Sequence, residues 1–127
     1  MEQFTDFERL EARRAIESAL HKSEKALLKL KQGSFSYTLT TRGIAAYQIA
    51  LDLLRAEIET IGSEAALVQK HSEKELEDAI LFFESTIRRV EKVLPKFSEC
   101  TPQHTLAIRR IRAFEIAATL IREQNDI

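Results

Sequence analysis

Tryptophan is absent from this chain, and its 127 residues include one cysteine, one methionine, two prolines and three glycines. Each shortage excludes something. Three scattered glycines cannot build a glycine-rich phosphate loop. The lone Cys100 can form no internal disulfide and has no partner cysteine for a zinc site, which suits a reducing compartment. No stretch approaches the ~20 uninterrupted apolar residues of a membrane span. The opening Met-Glu-Gln-Phe-Thr-Asp lacks the basic and apolar parts of a signal peptide. The expectation is a cytoplasmic protein without a membrane partner.

What is present is a pattern that occurs twice. Residues 4–57 align without a gap onto 71–124 at a constant offset of 67, and 17 of the 54 pairs are identical. Unrelated chains would match at roughly one position in sixteen. The densest part sets Thr38, Leu39, Arg42, Ile44, Ala46 and Ile49 against Thr105, Leu106, Arg109, Ile111, Ala113 and Ile116. With 44% hydrophobic and 31% charged residues the chain reads as one globular domain, 1–127. The division is repeat 1 at about 4–60, a linker at about 61–71 and repeat 2 at about 71–127.

Helix signals fall at equivalent places in the two units. Thr5 followed by Glu8, and Ser72 followed by Glu75, have the capping-box form of a hydroxyl with Glu three residues on. The first helix is expected to run to about Gln32 and stop at Gly33; its counterpart passes Pro95 and stops near Cys100. Ser34 and Thr101 then serve as N-caps, with Pro102 at the first helical position. The second helices end near Thr60 and Glu123, and Ser63 to His71 joins the units with room for a short helix.

Apolar residues recur at steps of three and four along Leu76, Ile80, Phe83, Ile87, Val90 and Leu94, and along Ile44, Tyr47, Leu51, Leu54 and Ile58. A second stripe, Ala46, Ile49, Ala50 and Leu53, is copied as Ala113, Ile116, Ala117 and Leu120, with alanines that permit close approach. The fold class is therefore all-α: an antiparallel four-helix bundle of two tandem αα-hairpin repeats with pseudo-twofold symmetry.

Few residues carry recognisable chemistry. There is no Glu-x-x-His motif of the kind that places two metal ligands on one helix face, and His21, His71 and His104 fall in different parts of the chain. No metal or cofactor is expected. Arg14-x6-His21 has the arginine-to-histidine spacing of helical HEPN-type ribonucleases but lacks the polar residue that follows the arginine there, and such spacing recurs in any Arg-rich helix. No catalytic residue is assigned. The repeated Thr-Leu-x-x-Arg-x-Ile-x-Ala-aromatic run resembles those of small bacterial helical proteins, a resemblance that carries no functional residues with it.

Charge becomes informative once hairpins are assumed. Pairing residues equidistant from Gly33 and Cys100 sets Arg42 against Glu24, Arg109 against Glu91 and Arg9 against Glu57. Both turns then lie at one end, where residues 19–48 and 86–115 hold 12 Lys/Arg against 4 acids, a balance of +8; the rest holds 7 against 16, a balance of −9. Lysines at helix ends complement the helix dipoles, but Arg109, Arg110 and Arg112 sit early in a helix, where the dipole favours anions.

Two functions follow. The first is a non-enzymatic protein-protein interaction module with an unidentified protein partner, a second copy of the chain among the candidates. The alternative is an anion-binding module for nucleic acid or a phosphorylated ligand, using Arg109, Arg110, Arg112, Arg42, Lys29 and Lys96. A pI near 6.3 and the lack of an aromatic-rich stretch disfavour nucleic acid.

Overall fold

The computed structural model describes the backbone of residues 4–58 and 71–125 and the side chains of 4–55 and 71–124. Its elements are α1 (Asp6–Leu27), α2 (Phe35–Ile58), α3 (Glu73–Val93), a 3₁₀ turn (Leu94–Lys96) and α4 (Pro102–Asn125). Among the described residues the fold is all helical, and no helix is long and apolar enough to cross a membrane. The expected joining segment before His71 and the expected end at Thr60 lie outside the described residues.

Both capping boxes form. The Thr5 hydroxyl accepts from the Glu8 N–H at 3.0 Å while the Glu8 carboxylate accepts from the Thr5 N–H at 3.0 Å. Ser72 and Glu75 do the same at 3.1 and 2.8 Å. Ser34 accepts from the Tyr37 N–H and Thr101 from the His104 N–H, so α2 and α4 start as expected. Gly33 and Cys100, each one residue before those caps, both have positive φ, at 89° and 69°. Glycine adopts this conformation without steric cost, whereas a cysteine does so with strain.

The first helix is shorter than the sequence suggested. α1 ends at Leu27 rather than near Gln32, and α3 at Val93 before the 3₁₀ turn at Pro95 rather than near Cys100. Nothing in the run Leu27–Lys31 breaks a helix by propensity. The run adds nothing to the core: Leu28 is 88% exposed, and Leu27 and Leu30 are only half-buried. Helical stability comes mainly from a buried face, so the helix stops where the core stops.

α1 packs on α2 and α3 on α4 as hairpins, α1 also meets α4, α2 meets α3, and α2 touches α4 across the middle. Among the described residues α1 and α3 do not pack on each other. The core is built from Ala12, Ile16 and Ala19 of α1, Leu76, Ala79 and Phe83 of α3, and the two copied stripes of α2 and α4. Tyr47 and Phe114, 67 residues apart, stack at 6.0 Å between ring centroids, and Phe83 closes against both at 5.9 and 5.5 Å. Such pairs add about 0.5–1.5 kcal/mol beyond the area they bury.

Candidate functional site

The register of the hairpins decides which charges meet, and it differs from expectation. Among the described residues neither Arg42 with Glu24 nor Arg109 with Glu91 forms an ion pair. Instead Arg55 meets Glu17 at 3.7 Å, and Arg122 bonds Glu84. These pairs are again 67 residues apart. Residues 17 and 55 are equidistant from 36, not 33, and residues 84 and 122 from 103, not 100. Early helix ends lengthen both connections and move each pivot three residues along the chain, which moves every cross-hairpin partner by six. Glu57, the partner expected for Arg9, has its side chain outside the described residues.

The six candidate cations do not line one cavity. Arg109 and Arg112 line a groove of about 540 Å³ between α1 and α4, Arg42 lines one of about 540 Å³ between α2 and α3, and Arg110 lines a cleft of about 300 Å³ among all four helices. Lys29 lies beyond the end of α1 and Lys96 in the 3₁₀ turn, both exposed and outside these three concavities.

The two grooves are lined at positions 67 residues apart, such as Glu8 and Glu75, Ala12 and Ala79, and Arg109 and Arg42. In the α1/α4 groove Arg112 donates to the Glu8 carboxylate at 2.6 Å, reaches Glu115 at 3.9 Å and lies 5.4 Å from the Phe4 ring centroid. The Arg112 hydrogen bond, followed by that from the Thr5 N–H, holds the Glu8 carboxyl below its ordinary range. In the α2/α3 groove the residue 67 before Arg112 is Ala45, and the residue equivalent to Phe4 is His71, which turns to Asp52 at 3.2 Å. Glu75, 67 residues after Glu8, is bonded to its cap partner Ser72, whose N–H and hydroxyl, with a smaller contribution from His71, hold its carboxyl below the ordinary value. Asp78 beside it makes no ion pair among the described residues.

Charge along the α2/α3 groove is therefore ordered. Along α3, Glu75 and Asp78 stand at one end, Leu81 and Phe82 in the middle, and Arg88 and Arg89 at the other end, while α2 adds Leu39 and Arg42 to the lining. Leu81 is 62% exposed and Phe82 half-buried, held edge-on to Tyr47 at 5.4 Å. Gly43 lets Phe82 lie there, since a Cβ at residue 43 would stand 2.9 Å from its ring tip.

The central cleft is lined by Lys22 and Ser23 of α1, Thr40 and Tyr47 of α2, Thr86 of α3 and Arg110 of α4, with small apolar residues and Phe114 between them. No acid lines it. Burial raises the Tyr47 phenol above its ordinary range, opposed by the positive charges of Arg110 and Arg89. Ser23 was legible in the sequence, since Arg9, Arg13 and Ser23 stand where α3 has Leu76, Ile80 and Val90, an exchange that reads as a paired half-buried arginine or as a polar pocket between helices; Thr40 and Thr86 gave no signal, because hydroxyls recur throughout the chain.

Of the histidines, His21 is exposed, and His104 and His71 are half-buried. Arg14 bonds Glu11 at 3.2 Å one turn earlier on α1. Among the described residues no group of three or more His, Cys, Asp or Glu is arranged to hold a metal ion. Comparison with protein-family models, curated proteins and solved structures gave no match.

Proposed function

We propose that this protein is a non-enzymatic interaction module, built from two tandem hairpin repeats about a pseudo-twofold axis, that docks a helix of a protein partner in the α2/α3 groove. The capping boxes, the left-handed residues, the N-caps and the hairpin ion pairs recur at an offset of 67, and the single Tyr47–Phe114 stack joins two residues at that same offset, which supports the duplication. The observation that carries the docking is the difference between the grooves. One holds its own arginine, Arg112, against Glu8; the other has Ala45 at the matching position, and its Glu75 and Asp78 make no ion pair among the described residues.

The partner's chemistry follows from the order of charge. Glu75 to Arg89 spans 14 residues of α3, roughly 21 Å or four helical turns. A helix lying in the groove presents Arg or Lys to Glu75 and Asp78, an apolar face to Leu39, Leu81 and Phe82, and an acid to Arg88 and Arg89. Complementary charge sets orientation and specificity, and the apolar middle supplies affinity.

Ala45 is exposed, so Ala45→Arg tests this without touching the core. The new side chain should reach Glu75 as Arg112 reaches Glu8 and so neutralise the acidic end that a partner's cation would need. A displayed library of helical peptides of about 18 residues, long enough for the groove, should enrich peptides with a basic and an acidic end that bind wild type and not Ala45→Arg. Enriched peptides that bind both proteins equally would refute the docking site.

The second reading, an anion-binding module, is favoured by the acid-free central cleft.

A further inference from the structure

We propose that the central cleft is a binding site for a small phosphate-bearing molecule, with Arg110 and Lys22 supplying charge and Tyr47, Thr40, Thr86 and Ser23 supplying hydroxyl donors. This goes beyond the docking groove and rests on different residues.

Arg110 is the first support. It is half-buried in the cleft and makes no ion pair among the described residues. Its equivalent in the other unit is Gly43, so the hairpin architecture does not call for a side chain there. The space that Phe82 fills beside Gly43 has Ala15 as its equivalent beside α4, which leaves the guanidinium room. A partly desolvated cation with no internal counter-charge is an electrostatic cost that a bound anion would offset.

The hydroxyls are the second support. Tyr47 is 7% exposed, its phenol oxygen is open to solvent in the cleft rather than sealed in the core, and it has no hydrogen-bond partner among the described residues. A helical side chain leans toward the N-terminus of its own helix, and in α2 that direction leads to the turn end, where the cleft lies. The Thr86 hydroxyl accepts from Arg89 at 3.1 Å, so its own proton remains to donate. Thr40 and Ser23 likewise line the cleft without an internal partner among the described residues.

Four hydroxyls, a guanidinium and an ammonium around a space with no carboxylate form a donor-rich site. A carboxylate has two oxygens to satisfy them, a phosphate three or more. The volume of about 300 Å³ is at the lower bound for ligand sites. It fits a phosphate with a small organic group against Val90 and Phe114, and four surrounding helices exclude a nucleic-acid duplex.

The test titrates the full chain with inorganic phosphate, pyrophosphate and a short single-stranded RNA at ~50 mM salt, where electrostatic association is strong. Binding is read by calorimetry and by ³¹P line broadening. Phosphate or pyrophosphate should bind saturably. Arg110→Gln should weaken binding by at least about tenfold, the loss of a charge-assisted pair. Thr86→Val should weaken it several-fold, while Arg109→Gln, which lies in the α1/α4 groove, should leave it unchanged. Circular dichroism should show both cleft variants folded. Three results would overturn the site: no binding of either phosphate compound up to ~10 mM, a very weak limit; equal loss on Arg110→Gln and Arg109→Gln; or binding by RNA alone. None of these bears on Ala45→Arg, so the docking groove stands or falls separately.

Discussion

Replacing Phe83 by Ala should remove about 4 kcal/mol of stability, within the ~3–5 kcal/mol range for truncating a fully buried phenylalanine. Phe83 is 0% exposed and its ring meets Phe82 at 5.6 Å, Phe114 at 5.5 Å and Tyr47 at 5.9 Å. Those three neighbours come from α3, α4 and α2, so the surrounding helices cannot all collapse into the vacancy at once. A domain is stable by only ~5–15 kcal/mol, so the loss is a large share of the whole. In urea, with a slope of about 2 kcal/mol/M for a small domain, the midpoint should fall by about 2 M. Melting should drop by about 15 °C at about 4 °C per kcal/mol. Leu28→Ala, on a side chain 88% exposed, is the control and should stay within about 0.5 kcal/mol. A Phe83→Ala loss below ~1 kcal/mol, outside the buried-aromatic range, would show that the aromatic cluster is not the closed centre of the bundle.

Further outcomes test the register, the cap carboxylates and the turn strain. A double-mutant cycle on Glu84 and Arg122 should give a coupling of ~0.2–1 kcal/mol, as expected for a half-exposed pair, and a cycle on Glu91 and Arg109 should give none; the reverse result would restore the Gly33 and Cys100 pivots. Glu8 and Glu75 titrate below their ordinary value of 4.5 in the folded protein, so the stability they add is complete above pH 4.5 and is lost as pH falls through their folded values. Urea midpoints of Glu8→Gln and Glu75→Gln between pH 7 and 3 should accordingly fall less steeply below pH 4.5 than those of wild type, and parallel curves would contradict the cap assignment. Cys100→Gly should raise stability by about 1 kcal/mol by relieving a positive φ, and Gly33→Ala should lower it by a similar amount; a destabilised Cys100→Gly would mean that residue 100 is not left-handed.

Much of the fold was legible because its signals are local. A hydroxyl with Glu three residues on satisfies two orphan N–H groups wherever it opens a helix, so Thr5 and Ser72 marked α1 and α3 without reference to the rest of the chain. The copied stripes were legible because an amphipathic helix must bury its apolar side, and all eight of their residues are buried. The shared failure of the Arg42 and Arg109 pairs has a single cause. A three-residue error in the pivot moves a partner six residues along a helix, about 9 Å at the helical rise, well beyond the reach of an ion pair.

The sequence by itself determined the helices, their caps and the apolar faces that close the core. Tertiary structure decided where α1 stops, because Leu27–Lys31 is helix-competent by propensity but contributes no residue to the buried core. Packing also decided that Arg112 meets Glu8 in one groove while the other has Ala45 at the matching position, and that Tyr47, Thr40, Thr86, Ser23 and Arg110 share a cleft. Caps and periodicity arise from bonds and contacts within a few residues of chain. Grooves and clefts depend on how far one helix slides along another, which is set by the interlocking of the core as a whole.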